Sequence, residues 1–312
     1  MAKSRKKRQE KASPLIPVML VLLILIVVTV MDSFGHNPMD WLERKIYGGS
    51  SGCDDDLQVH FIDVGQGDCI YITADGVNML IDSGEVGRDD DVISYLNSLG
   101  VKKLDYVVAT HPHSDHMGCM SNIIDTYNIG TVIMPHLDDS DIPTTKYFER
   151  FLDSCEAKRL AVSEAYLGQI IEIGDARAEI IAPCSSSYSG ANNYSVGIFL
   201  THGRNSFIFT GDAEELSEKE MLENGRLGHV RVYKAGHHGS DTSSSEAFLE
   251  AISPEYAVIS CGAGNSYGHP DNSTLKKLKK YTKEIYRTDL NGSIVFESDG
   301  LNLQIHTERK SK

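Results

Sequence analysis

From Leu57 onward the chain alternates short apolar runs with amphipathic stretches, and each change of period marks an element. Leu57 to Asp63 alternates in period two and predicts a strand; Ile70–Thr73 and Val77–Ile81 follow, joined by the turn Ala74-Asp75-Gly76. Asp91 to Leu99 has helical spacing and stops at Gly100, a suitable residue just past a helix end. A strand from Leu104 to Thr110 precedes a helix predicted from Asp115 to Tyr127. A short strand at Thr131–Met134 and a helix at Thr144–Ala157 come next, then strands at Ile170–Ile173 and Arg177–Ile181. Val196–Leu200 and Ser206–Thr210 form a second hairpin across His202 to Asn205, with His202 expected in solvent. The last third alternates helices at Glu214–Glu223, Ser244–Ile252 and Ser273–Tyr281 with strands at Val230–Ala235 and Tyr256–Ser260. Strands near Ile285, at Ile294–Glu297 and at Leu303–His306 end it. Strands lead and helices cover in both halves. The expected fold class is therefore α/β, a four-layer αββα sandwich with helices outside two packed sheets.

The N-terminus breaks this pattern. Leu15 to Met31 is apolar apart from Pro17 and Thr29, and six Lys/Arg with one Glu lie in the first thirteen residues. About 17–25 apolar residues span a bilayer, so one transmembrane helix is expected. The basic flank stays in the cytoplasm, which puts the body outside. No small-residue cleavage site follows Met31, which favours an uncleaved anchor over a signal peptide, the form that would release a secreted body. The expected organisation is a basic tail at 1–13, the anchor at 14–31, a linker at 32–56 and the folded body at 57–312. Trp41 would sit at the membrane interface. A formal charge of −14 argues against broad non-specific nucleic-acid binding, though a bound dication still admits a phosphate substrate. The spacing of the six cysteines fits no disulfide framework, so most read as buried thiols.

Candidate chemistry clusters after strands. His111-Pro112-His113-Ser114-Asp115-His116-Met117-Gly118 places four metal-ligating side chains within six residues. His111 and His113 suit one ion, Asp115 and His116 a second. Asp212, in Thr210-Gly211-Asp212-Ala213, can give one oxygen to each ion. Gly236-His237-His238-Gly239-Ser240 follows another strand, and His269 a third. Which of His237, His238 and His269 completes the metal shell stays open; the working assignment puts His237 and His269 on metal and His238 beside substrate. Asn193 precedes a strand and is expected at substrate with Ser240. Asp82, in Leu80-Ile81-Asp82-Ser83-Gly84, either orients a ligand histidine or stabilises a turn. Every candidate follows a strand, so the site belongs along one edge of the sandwich.

The histidine run resembles the signature of the metallo-β-lactamase fold. With Phe61 to Asp68, Asn192 to Val196, Thr210 to Glu214, Gly236 to Ser240, Tyr267 to Pro270 and Tyr286 to Asp289, the body resembles the metallo-β-lactamase domain of the ComEC competence family. The resemblance implies a metal-dependent hydrolase, a phosphodiesterase or nuclease, with two divalent ions: zinc first, manganese or iron as alternatives. Asp115 would orient the attacking water, and His238 and Arg287 would stabilise phosphoryl charge. The expected substrate is a phosphodiester in nucleic acid, a teichoic-acid-like polymer or a head group; no protein partner is inferable. The competing readings are a lactone, thioester or β-lactam hydrolase on the same site, and a non-catalytic tethered binding module. Two features depart from the resemblance: no histidine stands near Asn193, where the wider superfamily presents one, and Cys119 stands where a second glycine is common.

Overall fold

The structure of the protein, a computed structural model, describes residues 56–138 and 141–310. The expected membrane anchor, the basic tail, Trp41 and Cys53 lie outside the described residues. Among those described, no helix is long and apolar enough to cross a membrane.

The first sheet contains β1 (Leu57–Phe61), β2 (Ile70–Ala74), β3 (Val77–Ile81), β4 (Lys103–Val108), β5 (Asn128–Met134), β6 (Val162–Glu164), β14 (Ile294–Ser298) and β15 (Leu303–Thr307). Their order is β15-β14-β1-β2-β3-β4-β5-β6. The second contains β7 (Ile170–Ile173), β8 (Ala176–Ala182), β9 (Gly197–His202), β10 (Asn205–Phe209), β11 (Val232–Lys234), β12 (Tyr256–Ile259) and β13 (Glu284–Arg287). It runs β13-β12-β11-β10-β9-β8-β7. Each sheet is antiparallel through its hairpins and becomes parallel where helices make the crossovers, from β3 to β6 and from β10 to β13.

Three apolar cores follow from the strand pattern. Alternate residues of both sheets, among them Val59, Phe61, Ile72, Phe207, Phe209 and Phe296, meet between the sheets. The other face of the first sheet is covered by α1 (Asp89–Ser98), α2 (Ser114–Met117), α3 (Met120–Thr126) and α4 (Lys146–Ala157), through Leu96, Met117, Ile123 and Phe151. The outer face of the second is covered by α5 (Glu215–Glu223), α6 (Glu246–Ile252) and α7 (Asn272–Tyr281), through Met221, Phe248 and Leu278. The layers are therefore helix, sheet, sheet, helix. A short α8 (Thr288–Asn291) follows β13.

The helix expected at Asp115 to Tyr127 is broken into α2 and α3. Gly118 lies against the 85–86 backbone so closely that a Cβ would meet the Val86 nitrogen at 2.2 Å. Gly118 itself keeps helical angles, and the backbone departs from them at Cys119, φ −104° and ψ 3°. His202 is buried, not solvent-exposed: it is the last residue of β9, pairs with Asn205, and has Nδ1 at 2.8 Å from the Ser298 hydroxyl. The five described cysteines are free thiols, four of them buried.

Candidate metal centre

The loops that leave β1, β3, β4, β10, β11 and β12 at their C-terminal ends gather at one edge of the sandwich. Asp212 is at their focus. It follows β10 across Gly211, is 1% exposed, and is held by its own N–H donating to the Ser195 hydroxyl at 3.0 Å. Its carboxylate faces two groups of donors. Oδ1 lies 3.2 Å from His116 Nε2 and 3.5 Å from His238 Nε2. Oδ2 lies 3.7 Å from both His111 Nε2 and His237 Nε2.

On the Oδ1 side, Asp115 Oδ2 approaches His238 Nε2 to 3.1 Å. The Nε2 atoms of His116 and His238 face each other at 3.2 Å. Both rings are turned this way by what holds their other nitrogen. His116 Nδ1 is 2.7 Å from Asp82 Oδ2, and Asp82 also accepts from the Thr110 N–H and hydroxyl at 2.8 and 2.7 Å. Asp82 is thus the orienting carboxylate rather than a turn residue alone. His238 Nδ1 donates to the Ser260 carbonyl at 3.0 Å, with Asp68 Oδ1 at 3.2 Å. Asp68 is in turn paired with the fully buried Lys234 at 2.8 Å. Asp68, His116, Asp212 and His238 form one group able to hold a metal; His111, His113 and Asp212 form a second. Asp68 Oδ1 is, like Asp212 Oδ1, buried with no hydrogen-bond partner, since the Nδ1 proton of His238 goes to Ser260.

On the Oδ2 side, His111 Nε2 and His113 Nδ1 stand 3.0 Å apart. Buried His111 has its Nδ1 at 3.2 Å from the Thr110 hydroxyl and 3.3 Å from that of Ser195.

The residues fit a pair of cations. Asp212 Oδ1 is buried and makes no hydrogen bond of good alignment. Opposed imidazole nitrogens at 3.2 Å cannot both present a proton to each other, whereas both can face one shared ion. Protonation follows the same logic. Burial opposes charge on His116 and His238, yet the surrounding carboxylates, Asp212 foremost, carry His116 well above the usual histidine range and His238 up to about 10, so a cation bound between the two rings would take the place of these protons and release them. Burial would raise Asp212 too, but His116 and His238 hold it well below the usual carboxylate range. Burial and the neighbouring His116 push His111 down, leaving it neutral, as a metal ligand must be.

His237 and His238 are consecutive non-glycine residues with left-handed backbones, φ 49° and 53°. Such conformations cost on the order of 1–3 kcal/mol each and persist where the surroundings impose them. The turn sends His238 inward and leaves His237 partly exposed, its Nδ1 3.0 Å from the Thr242 hydroxyl. His238 lies within a donor group and lines the cavity; His237 also lines the cavity, its Nε2 as near Asp212 Oδ2 as that of His111. His269 lines the same cavity but belongs to neither donor group.

Three expected substrate contacts are placed elsewhere. Arg287 is engaged by Asp289 through two hydrogen bonds of 2.9 and 2.6 Å and does not line the cavity. Asn193 exchanges hydrogen bonds with Glu214, accepting from its N–H at 3.1 Å. Ser240 is buried; its hydroxyl lies 3.1 Å from that of Thr242, and its N–H donates to the His237 carbonyl at 2.8 Å. Two residues beyond Asn193, Ser195 is the one that touches both His111 and the Asp212 backbone.

The cavity has a volume of roughly 300 Å³, and Gln66, His113, Asp115, Tyr147, His237 and Tyr267 are among its lining residues. A larger one of roughly 780 Å³ shares Gln66 with it but contains none of the donors.

The description "Metallo-beta-lactamase superfamily" matches residues 62–263. The chain belongs to the metallo-beta-lactamase superfamily. That fold implies a dimetal site, and the donors split by Asp212 are this chain's candidates for it. Among curated proteins it is 28% identical over 257 residues to "ComE operon protein 3" of Bacillus subtilis, covering 77% of this chain and 33% of that protein. It is 29% identical over 254 residues to "Recombination protein 2" of Haemophilus influenzae, covering 79% and 30%. "Competence protein ComA" of Neisseria gonorrhoeae is 28% identical over 238 residues, covering 75% and 31%. The chain thus spans about a third of the length of these relatives. Among solved structures, the metallo-beta-lactamase fold protein YhfI from Bacillus subtilis superposes with a TM-score of 0.53 at 11% identity, covering 78% of this chain and 100% of that one. Igni18, a metallo hydrolase from Ignicoccus hospitalis, gives 0.51 at 18% identity, covering 77% and 98%.

Proposed function

We propose that the protein is a metal-dependent phosphodiesterase, tethered by residues 14–31 to the cell membrane with its body outside. The observation that carries this reading is the division of buried nitrogen and carboxylate donors by the two oxygens of Asp212, beside an open cavity. The donor set mixes imidazole with carboxylate, which suits zinc, with manganese or iron also compatible. Bound there, two such ions would supply Lewis acidity to the phosphoryl group and to the attacking water. His111, His113 and Asp212 would hold one ion; Asp115, His116, His238 and Asp212 the other.

The remaining chemistry falls to the chain's own groups. Burial alone would raise Asp115, but His238 and His116 keep it ionised, so its carboxylate is placed to orient the attacking water as a hydrogen-bond acceptor. His237, steadied through Nδ1 by Thr242, faces the cavity and is placed to hydrogen-bond a phosphoryl oxygen. Among the described residues no Lys or Arg lines the cavity, so phosphoryl charge would be balanced at the centre itself. That favours small or singly engaged diesters over long duplexes, which depend on many basic contacts. The names of the curated relatives, tied to competence and recombination, support a phosphodiester over an acyl substrate.

The test sets bis-p-nitrophenyl phosphate beside a chromogenic lactam, with the purified, metal-loaded chain. Hydrolysis of the diester with an inert lactam is expected. Turnover of the lactam alone would move the site to acyl chemistry.

A further inference from the structure

The loop at 262–270 is folded by one side chain. Asn265 Nδ2 donates to the carbonyls of Gly262 and His269, at 2.9 and 2.5 Å. Its Oδ1 accepts from the N–H groups of Tyr267 and His269, at 3.2 and 3.1 Å. The amide therefore makes all four bonds open to it, and the loop is fixed rather than merely covered. The result is a ladder of rings. Tyr267 lies nearly parallel to His269, centroids 5.9 Å apart at 12°. His269 meets His237 edge-on at 5.6 Å and 65°, and His237 Nε2 is 3.7 Å from Asp212 Oδ2. The ladder leads from the metal centre to the surface, where Tyr267 is 65% exposed while still lining the cavity.

A scattered surface tyrosine needs no explanation. This one is held by a saturated amide on a ring stack that ends at Asp212. Among the described residues no Lys or Arg lines the cavity, so the exposed face of Tyr267 is what stands there, away from the metal centre, to grip the part of a diester beyond the phosphoryl group. We propose that Tyr267 is a specificity-determining platform that selects phosphodiesters carrying a planar ring, such as an unpaired base, next to the scissile bond. The proposal rests on the phosphodiesterase reading of the same centre and narrows it: ring-free polyol phosphates and bases locked in a duplex become the poorer substrates.

The full chain, metal-loaded, is given two labelled single-stranded oligomers of equal length, one with bases and one abasic. Base–aromatic stacking is worth about 1–3 kcal/mol by alanine substitution, or roughly 5- to 150-fold. The wild type should favour the base-bearing oligomer by about tenfold or more in kcat/KM, chiefly through KM. Tyr267→Ala should bring the ratio close to one while keeping its bound metal, and Tyr267→Phe should restore it. Fluorescence anisotropy of the same oligomers reads the preference in binding alone. Equal rates on both oligomers in the wild type, or an undiminished preference in Tyr267→Ala, overturn the proposal and leave the hydrolase reading standing. If neither oligomer nor any other diester is cut, the hydrolase reading fails and the proposal falls with it.

Discussion

Asp82 and the Ser260 carbonyl stand behind the two histidines of one donor group, and each turns its ring by the nitrogen that faces away from the centre. Groups in this position typically change metal affinity by about 10- to 100-fold when removed. Asp82→Asn should therefore weaken metal binding by that order while circular dichroism stays native; a competition titration with a chelating dye reads it, and unchanged affinity contradicts the role. A second prediction concerns His60, far along β1 in sequence from any donor. Its ring is buried between Tyr95, at 3.0 Å from Nδ1, and Gln58, at 3.1 Å from Nε2, and burial pushes it down to about 4. The folded protein keeps it neutral, while the unfolded chain takes a proton below about pH 6.5. Stability from this group is thus complete above the unfolded value, falls as pH drops from about 6.5 toward 4, and the loss totals on the order of 3 kcal/mol. Thermal unfolding of wild type and His60→Gln at pH 7 and 5 should show the wild type losing more; parallel losses contradict it. At this scale much of the site is legible in the sequence, because ligand spacing on a loop is local. Asp82 and the His111 run are local in that sense. The division of work between His237 and His238 is not: it depends on two left-handed residues that send adjacent side chains in opposite directions. Nor is the Lys234–Asp68 pair, since a lysine ending a strand reads as solvent-facing until the opposing loop is in place.

The loop between β1 and β2 and the start of α2 approach so closely that only glycine fits at one position. Gly67 has φ +126°, and a Cβ there would meet the Asp115 carbonyl oxygen at 2.3 Å. The neighbouring Asp68 N–H donates to that same carbonyl at 3.1 Å, tying the loop to the Asp115 backbone. Gly67→Ala should displace Asp115, reducing metal affinity and stability together, the latter by about 1–3 kcal/mol. Denaturant unfolding beside metal titration decides it; a variant with wild-type stability contradicts the contact. Element type and order follow the hydrophobic periods throughout, because each strand and helix buries one face. What periodicity missed has no period to show: β6 is three residues at a sheet edge, α8 is a single turn, and the break between α2 and α3 is one non-helical residue, Cys119.

On the scale of the whole molecule, three apolar cores hold two sheets and their helices while the loops at one edge are left to carry charge. The sandwich could be anticipated from alternation, and a site along one edge from every candidate following a strand; which side chains face one another there could not, because that requires the two sheets to face each other in register. The topology proposed for the chain makes a prediction at this scale. Protease added to intact cells, with any outer layer made permeable, should degrade the body; protection until lysis contradicts an external location. The central claim is that one carboxylate, Asp212, joins two metal sites that perform hydrolysis. Elemental analysis of the purified full chain, paired with its phosphodiester hydrolysis rate, tests it most directly. Two divalent ions per wild-type chain are predicted, with Asp212→Ala retaining at most one and losing nearly all hydrolysis while its far-ultraviolet spectrum stays native. A wild type that binds no metal, or an Asp212→Ala chain with both ions and an undiminished rate, would contradict the account.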